Sequence, residues 1–135
     1  MKQKIVIDTN IIFSILLSKN SHFLTMLFDD NYIVLAPNFL FVEIYNKKEK
    51  LVKHSKLNDD EIVELLSLIL NKIHFVKDEL ISNNSKQIAY HLCKDIDLKD
   101  IPFVALAIEF NCRIWTGDKK LINGLEIKGF YYFLK

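Results

Sequence analysis

The sequence predicts an α/β protein: a three-layer α/β/α sandwich built around a central, mainly parallel sheet of five strands. Two observations point there. Short, β-rich apolar runs alternate with stretches of helical periodicity, and the links between them are short, which is the pattern of strands joined by crossover helices. The chain has 135 residues, half of them apolar, which is the size of one ordinary domain with one core. A single domain over residues 1–135 is therefore expected, with ligands received at the carboxyl ends of the strands.

Each element has a local reason. Lys4 to Ile7 is a β-rich run, Ile11 to Leu17 is apolar with helical spacing, and Ser21 to Phe28 resumes as a second helical piece after the break at KNS. YIVLA, Tyr32 to Ala36, is a second strand. Pro37 then suits the first turn of a helix through NFLFVEIYNKKEKLVKH, where a fixed φ and a missing N–H are tolerated. Asn58-Asp59-Asp60-Glu61 caps a helix reaching through ELLSLILNK, and IHFV, Ile73 to Val76, reads as a third strand. Ser82 to Lys94 is helical, as is Asp100 to Phe110, whose core face carries Phe103, Val104, Ala107 and Ile108. RIWT, Arg113 to Thr116, makes the fourth strand, and GFYYFL near the end makes the fifth.

Eighteen basic and seventeen acidic residues leave a net charge of +1, so no global positive field drives non-specific duplex DNA binding. Any nucleic-acid contact must be local. Cys93 and Cys112 are too few and too far apart for a disulfide framework or a zinc knuckle and read as small buried hydrophobes. The opening MKQKIVIDTNIIFSILLSK imitates a secretory signal, but Asp8 and Asn10 interrupt it and no small-residue cleavage site follows. With no run of about 20 apolar residues either, a soluble, cytoplasmic protein without a membrane partner is expected.

The strand-end rule selects four acids. In VIDTN, Asp8 directly follows strand one, and Asp118 follows strand four after Gly117, so the two converge if those strands are neighbours. Glu43 lies early in the helix after strand two, on the face of Phe39 and Leu40, and Asp100 opens the helix whose apolar stripe begins at Phe103. Each also has a plainer reading: Asp8 and Asp100 as helix caps, the latter supported by Pro102, and Glu43 as a solvated helix residue. Together, four carboxylates in one crevice would repel, and one would stay protonated without a counter-charge. A divalent cation resolves this, and all-oxygen ligation without a His pair favours Mg²⁺ or Mn²⁺ over zinc.

VIDTN, the helical Val42-Glu43, DLKDIPFVALAIEF and WTGDKKL occur in that order, and with them the chain resembles the PIN-domain ribonucleases, which include the VapC-type toxins of toxin–antitoxin pairs. The resemblance covers nearly the whole chain. It implies a five-stranded parallel sheet and an acidic quartet, here Asp8, Glu43, Asp100 and Asp118, that holds Mg²⁺ or Mn²⁺. It implies supporting roles for Asp97, the first acid of DxxD, and for Asn10 and Thr116, which orient water or metal. It also implies RNA as substrate, single-stranded or looped, whose backbone can be splayed into a narrow crevice. A cognate antitoxin and a homodimer are further expected partners.

Arg113 is the only arginine, so phosphate contacts fall to lysine, with Lys47, Lys48, Lys50, Lys53, Lys119 and Lys120 as candidates and Lys119 preferred because it follows a proposed ligand. Three rivals stand beside this reading. A receiver domain would use Asp78 as phospho-acceptor with Lys119 as its salt partner, but it needs a second acid beside Asp8. A dehalogenase-type phosphatase needs Asp where Asn10 stands. A PIN-fold module that binds RNA or protein without cleaving is the third.

Overall fold

The computed structural model describes residues 2–134. Strand β1 (Gln3–Ile7) leads into α1 (Thr9–Ser18) and α2 (Ser21–Leu27); β2 (Tyr32–Pro37) is followed by α3 (Phe39–His54) and α4 (Asp59–Lys72). Then come β3 (His74–Val76), α5 (Asn83–Cys93), α6 (Ile101–Phe110), β4 (Arg113–Trp115) and α7 (Lys119–Ile127). The local signals explain most boundaries. Asn58 and Glu61 form a reciprocal capping box at the head of α4, each side chain accepting from the other's backbone N–H. Asn111 takes the left-handed conformation that ends α6, with φ 50°.

The four strands lie in the order β3-β2-β1-β4 and every pairing is parallel. Ile5, Val6 and Ile7 are all buried although successive side chains point to opposite faces, so the centre of the sheet is covered on both sides. Helix α6 lies against β1, β2 and β4, with α5 packed on it, while α1 packs against α2, α3 and α4. The α/β sandwich predicted from alternation is thus the observed architecture. Because β1 connects to β2 on one side and pairs with β4 on the other, the direction in which the chain adds strands to the sheet switches between β1 and β4, the point at which parallel sheets leave a crevice at the strands' carboxyl ends.

Two sequence expectations are corrected. The fifth strand at GFYYFL shrinks to a single parallel bridge, Ile114 to Phe133, beside β4. The Phe133 N–H turns back to the Tyr131 carbonyl at 3.0 Å, and burial runs in–out–out–in from Phe130 to Phe133, so the segment lacks the two-residue alternation of a strand. Pro37 does not open the helix. It closes β2, opposite Val76 and beyond the last β1 pair at Leu35, and Asn38 is the residue that leads into α3.

Candidate functional site

Asp8 leaves the end of β1 while its backbone N–H still donates to the Trp115 carbonyl of β4 at 2.9 Å, fixing it at the switch crevice. The residue is only 7% exposed. Oδ1 accepts from the Thr9 N–H at 2.8 Å and Oδ2 from the Thr116 hydroxyl at 2.7 Å. Asp8 therefore caps α1, as the plainer reading held, and faces the crevice as well. Burial pushes its pKa up to about 6 despite those two bonds, and the charges of Glu43 and Asp118 push the same way.

Thr116 organises the β4 side. Its hydroxyl donates to Asp8 and accepts from Asn10 Nδ2 at 3.2 Å and from the Asp118 N–H at 3.0 Å. Asn10 Oδ1 in turn accepts from the Gly117 N–H at 3.2 Å. Asn10 and Thr116 thus stitch the loop after β4 to the head of α1. Asp118, half-buried, caps α7 through the Leu121 N–H at 3.1 Å. Lys119 is exposed at the first position of that helix.

Glu43 is half-buried rather than solvated, and the Thr9 hydroxyl donates to its Oε1 at 2.6 Å. Thr9, 3% exposed, is the residue that sequence reasoning missed. Its only local signal was its place in VIDTN, since the bond that matters spans 34 positions and depends on α1 meeting α3. Asp100 behaves differently from a cap. It precedes α6 but makes no capping bond, and its Oδ2 is buried without any hydrogen-bond partner. Burial, then the charges of Asp8, Asp97, Asp118 and Glu43, push its pKa up to about 7. Asp97 is exposed and caps the short 3₁₀ turn before α6 through the Lys99 N–H at 2.9 Å.

The structure therefore gathers Asp8, Glu43, Asp100 and Asp118 around one crevice, with Glu43 and Asp118 close enough to act on the charges of Asp8 and Asp100, and Asp8 on that of Asp100. It does not draw them into a closed cage: among the described residues, no three His, Cys, Asp or Glu side chains stand together as a ready-made metal site. The donor chemistry nonetheless fits a hard cation. Every donor is oxygen, and Asp100 presents a buried carboxylate oxygen that nothing in the protein satisfies.

The phospho-acceptor of the receiver-domain reading is engaged elsewhere. Asp78 sits in a 3₁₀ turn after β3 and pairs with Lys86 at 2.7 Å. Cys93 and Cys112 are free thiols whose pKa values burial pushes up to about 12 and about 11, which leaves them unreactive. No described helix is long and apolar enough to cross a membrane.

The sequence matches the family model of the PIN domain over residues 6–130, a stretch that contains every acid of the crevice. No curated protein matches it significantly. PIN domains are commonly nucleases and typically use divalent metal ions. A match that begins two residues before Asp8 and runs through α7 leaves one conclusion: the chain belongs to the PIN-domain family.

Proposed function

We propose that the protein is a Mg²⁺- or Mn²⁺-dependent endoribonuclease that hydrolyses phosphodiester bonds of single-stranded or looped RNA. The observation that carries this reading is the unsatisfied, buried Oδ2 of Asp100, set among acids at the switch crevice of a PIN domain. Asp8, Glu43, Asp100 and Asp118 would hold the ion. When bound, such an ion supplies Lewis acidity, neutralising charge that develops on the phosphoryl oxygens and favouring ionisation of the attacking water.

The chain's own groups set up the rest. Thr9 N–H and the Thr116 hydroxyl fix both oxygens of Asp8, so its orientation does not depend on the substrate. The Thr9 hydroxyl aims Glu43, which completes the donor set or positions the water. Asn10 and Thr116 hold the β4 loop so that Asp118 faces the crevice, with Asp97 adding negative charge beside Asp100. Lys119, next to Asp118 and exposed, would meet a phosphate as a point charge.

The test is direct. Purified protein should cleave a single-stranded RNA with Mg²⁺ or Mn²⁺ and stop in EDTA; full activity in excess chelator would refute the reading. A type II toxin role, with an antitoxin protein as partner, extends the proposal. Induced expression should then arrest growth, and Asp100→Asn should relieve the arrest. The rival reading is a PIN-fold module that binds RNA or protein without cleaving, and a Mn²⁺ titration separates the two.

A further inference from the structure

Helices α1 and α3 both start at the acidic crevice because they follow β1 and β2, which are adjacent parallel strands. At the top they are joined by the bond from Thr9 to Glu43. One turn down each helix stand Phe13 and Lys47, with the Lys47 ammonium 5.5 Å from the Phe13 ring centre. Further along come Leu17, Lys50, Leu51 and His54, and these six residues line a groove of about 350 Å³. Its floor is apolar, and every titratable group on its walls is basic.

We propose that this groove is the track along which an RNA strand leaves the crevice, with Lys47 and Lys50 on its phosphates and Phe13 under a base. The proposal rests on the ribonuclease reading above and adds the path of the substrate. Charge complementarity favours a polyanion as the occupant. Neither Lys47 nor Lys50 has a carboxylate within ion-pairing distance among the described residues, whereas Lys72, Lys86 and Lys128 do. From Glu43 to Lys50 the helix rises about 10 Å, so both ammonium groups lie within a few nucleotides of the acids. A basic groove with an aromatic floor is how single strands are held without sequence preference.

The geometry also sorts the lysines of α3, which the sequence left unranked among themselves. Lys48, adjacent to Lys47, lies over the Tyr45 ring at 4.0 Å and is absent from the groove lining. It serves as the internal control.

The experiment measures binding of a short fluorescein-labelled single-stranded RNA by anisotropy in EDTA, across a series of salt concentrations. It compares the full chain, Lys47→Ala/Lys50→Ala, Lys48→Ala and Phe13→Leu, with cleavage in Mg²⁺ measured in parallel. Repulsion from the metal-free acids is common to all four proteins and cancels in the comparison. The double variant should reduce the slope of log affinity against log salt by about 0.7 per lysine removed, roughly 1.4 in all. It should raise KM with little change in kcat, and Lys48→Ala should behave as wild type. Phe13→Leu should weaken binding about 5- to 150-fold without changing the slope. Both lysines are exposed, so the double variant should fold, which a melting curve checks.

A wild-type slope in the double variant, with RNA still cleaved, overturns the track and leaves the ribonuclease reading standing. An unchanged slope together with loss of a wild-type dimer in sedimentation assigns the groove to a second copy of the chain and also overturns it. A wild-type protein that neither binds nor cleaves RNA removes both proposals.

Discussion

Asp100→Asn in the metal-free protein is the perturbation whose size the structure sets most clearly. The folded-state pKa of Asp100, about 7, lies above its ordinary value of 3.8. The folded protein thus holds this proton more tightly than the unfolded chain. The contribution of this group to stability is full below about pH 4, is lost as pH rises from there through about 7, and is level above that. A rise of that size corresponds to at most about 4 kcal/mol lost by alkaline pH. Asparagine removes the buried charge but places a side-chain donor where Oδ2 had no partner, which costs about 1–3 kcal/mol. At pH 8 in EDTA the variant should therefore be more stable by roughly 1–3 kcal/mol, a melting shift of several degrees. At pH 5, with Asp100 already protonated, it should be no more stable than wild type. Thermal melts of both proteins at the two pH values read this out. A constant difference at both would mean that Asp100 carries no buried charge and that the acids do not act on one another as a cluster.

Other substitutions probe single bonds. Thr9→Val keeps the shape of the side chain but removes the 2.6 Å bond to Glu43, and should lower cleavage about 10- to 100-fold while leaving the melting temperature within a few degrees. Thr116→Val removes the donor to Asp8 and the acceptor for Asp118 N–H; it should cost about 1–3 kcal/mol and raise the Asp8 pKa further above 6, visible in a carboxyl NMR titration. Leu106→Ala, at a fully buried position in α6, should cost about 2–5 kcal/mol in denaturant unfolding if α6 packs on the sheet as described.

The alternation of strands and helices was legible because each element carries its own periodicity and its own cap, as at Asn58 and Ser82. Asp8 and Asp118 could be paired from sequence because both follow strands, subject to β1 and β4 being neighbours, which they are. Three features were not legible. The role of Thr9 depends on how closely α1 approaches α3, a tertiary fact that no local pattern encodes. Whether Asp100 was a cap or an orphaned buried carboxylate turns on a hydrogen bond that either reading allows in sequence. GFYYFL has the composition of a strand, but its aromatic residues pack three apart and the chain turns at Tyr132, so composition misled.

The central claim is that the acids of the crevice form a divalent-cation site, and melting wild type and Asp8→Asn in EDTA and in Mg²⁺ tests it most directly. Without metal, the variant loses one buried, repelled charge and should melt higher than wild type. A cation at one hundred times its dissociation constant stabilises the folded state by about 2.7 kcal/mol, and most of that should be lost with the Asp8 carboxylate. Mg²⁺ should therefore reverse the order, wild type melting above the variant. Parallel shifts in both conditions would mean that Asp8 is a helix cap and nothing more, and would contradict the assignment of a cation site.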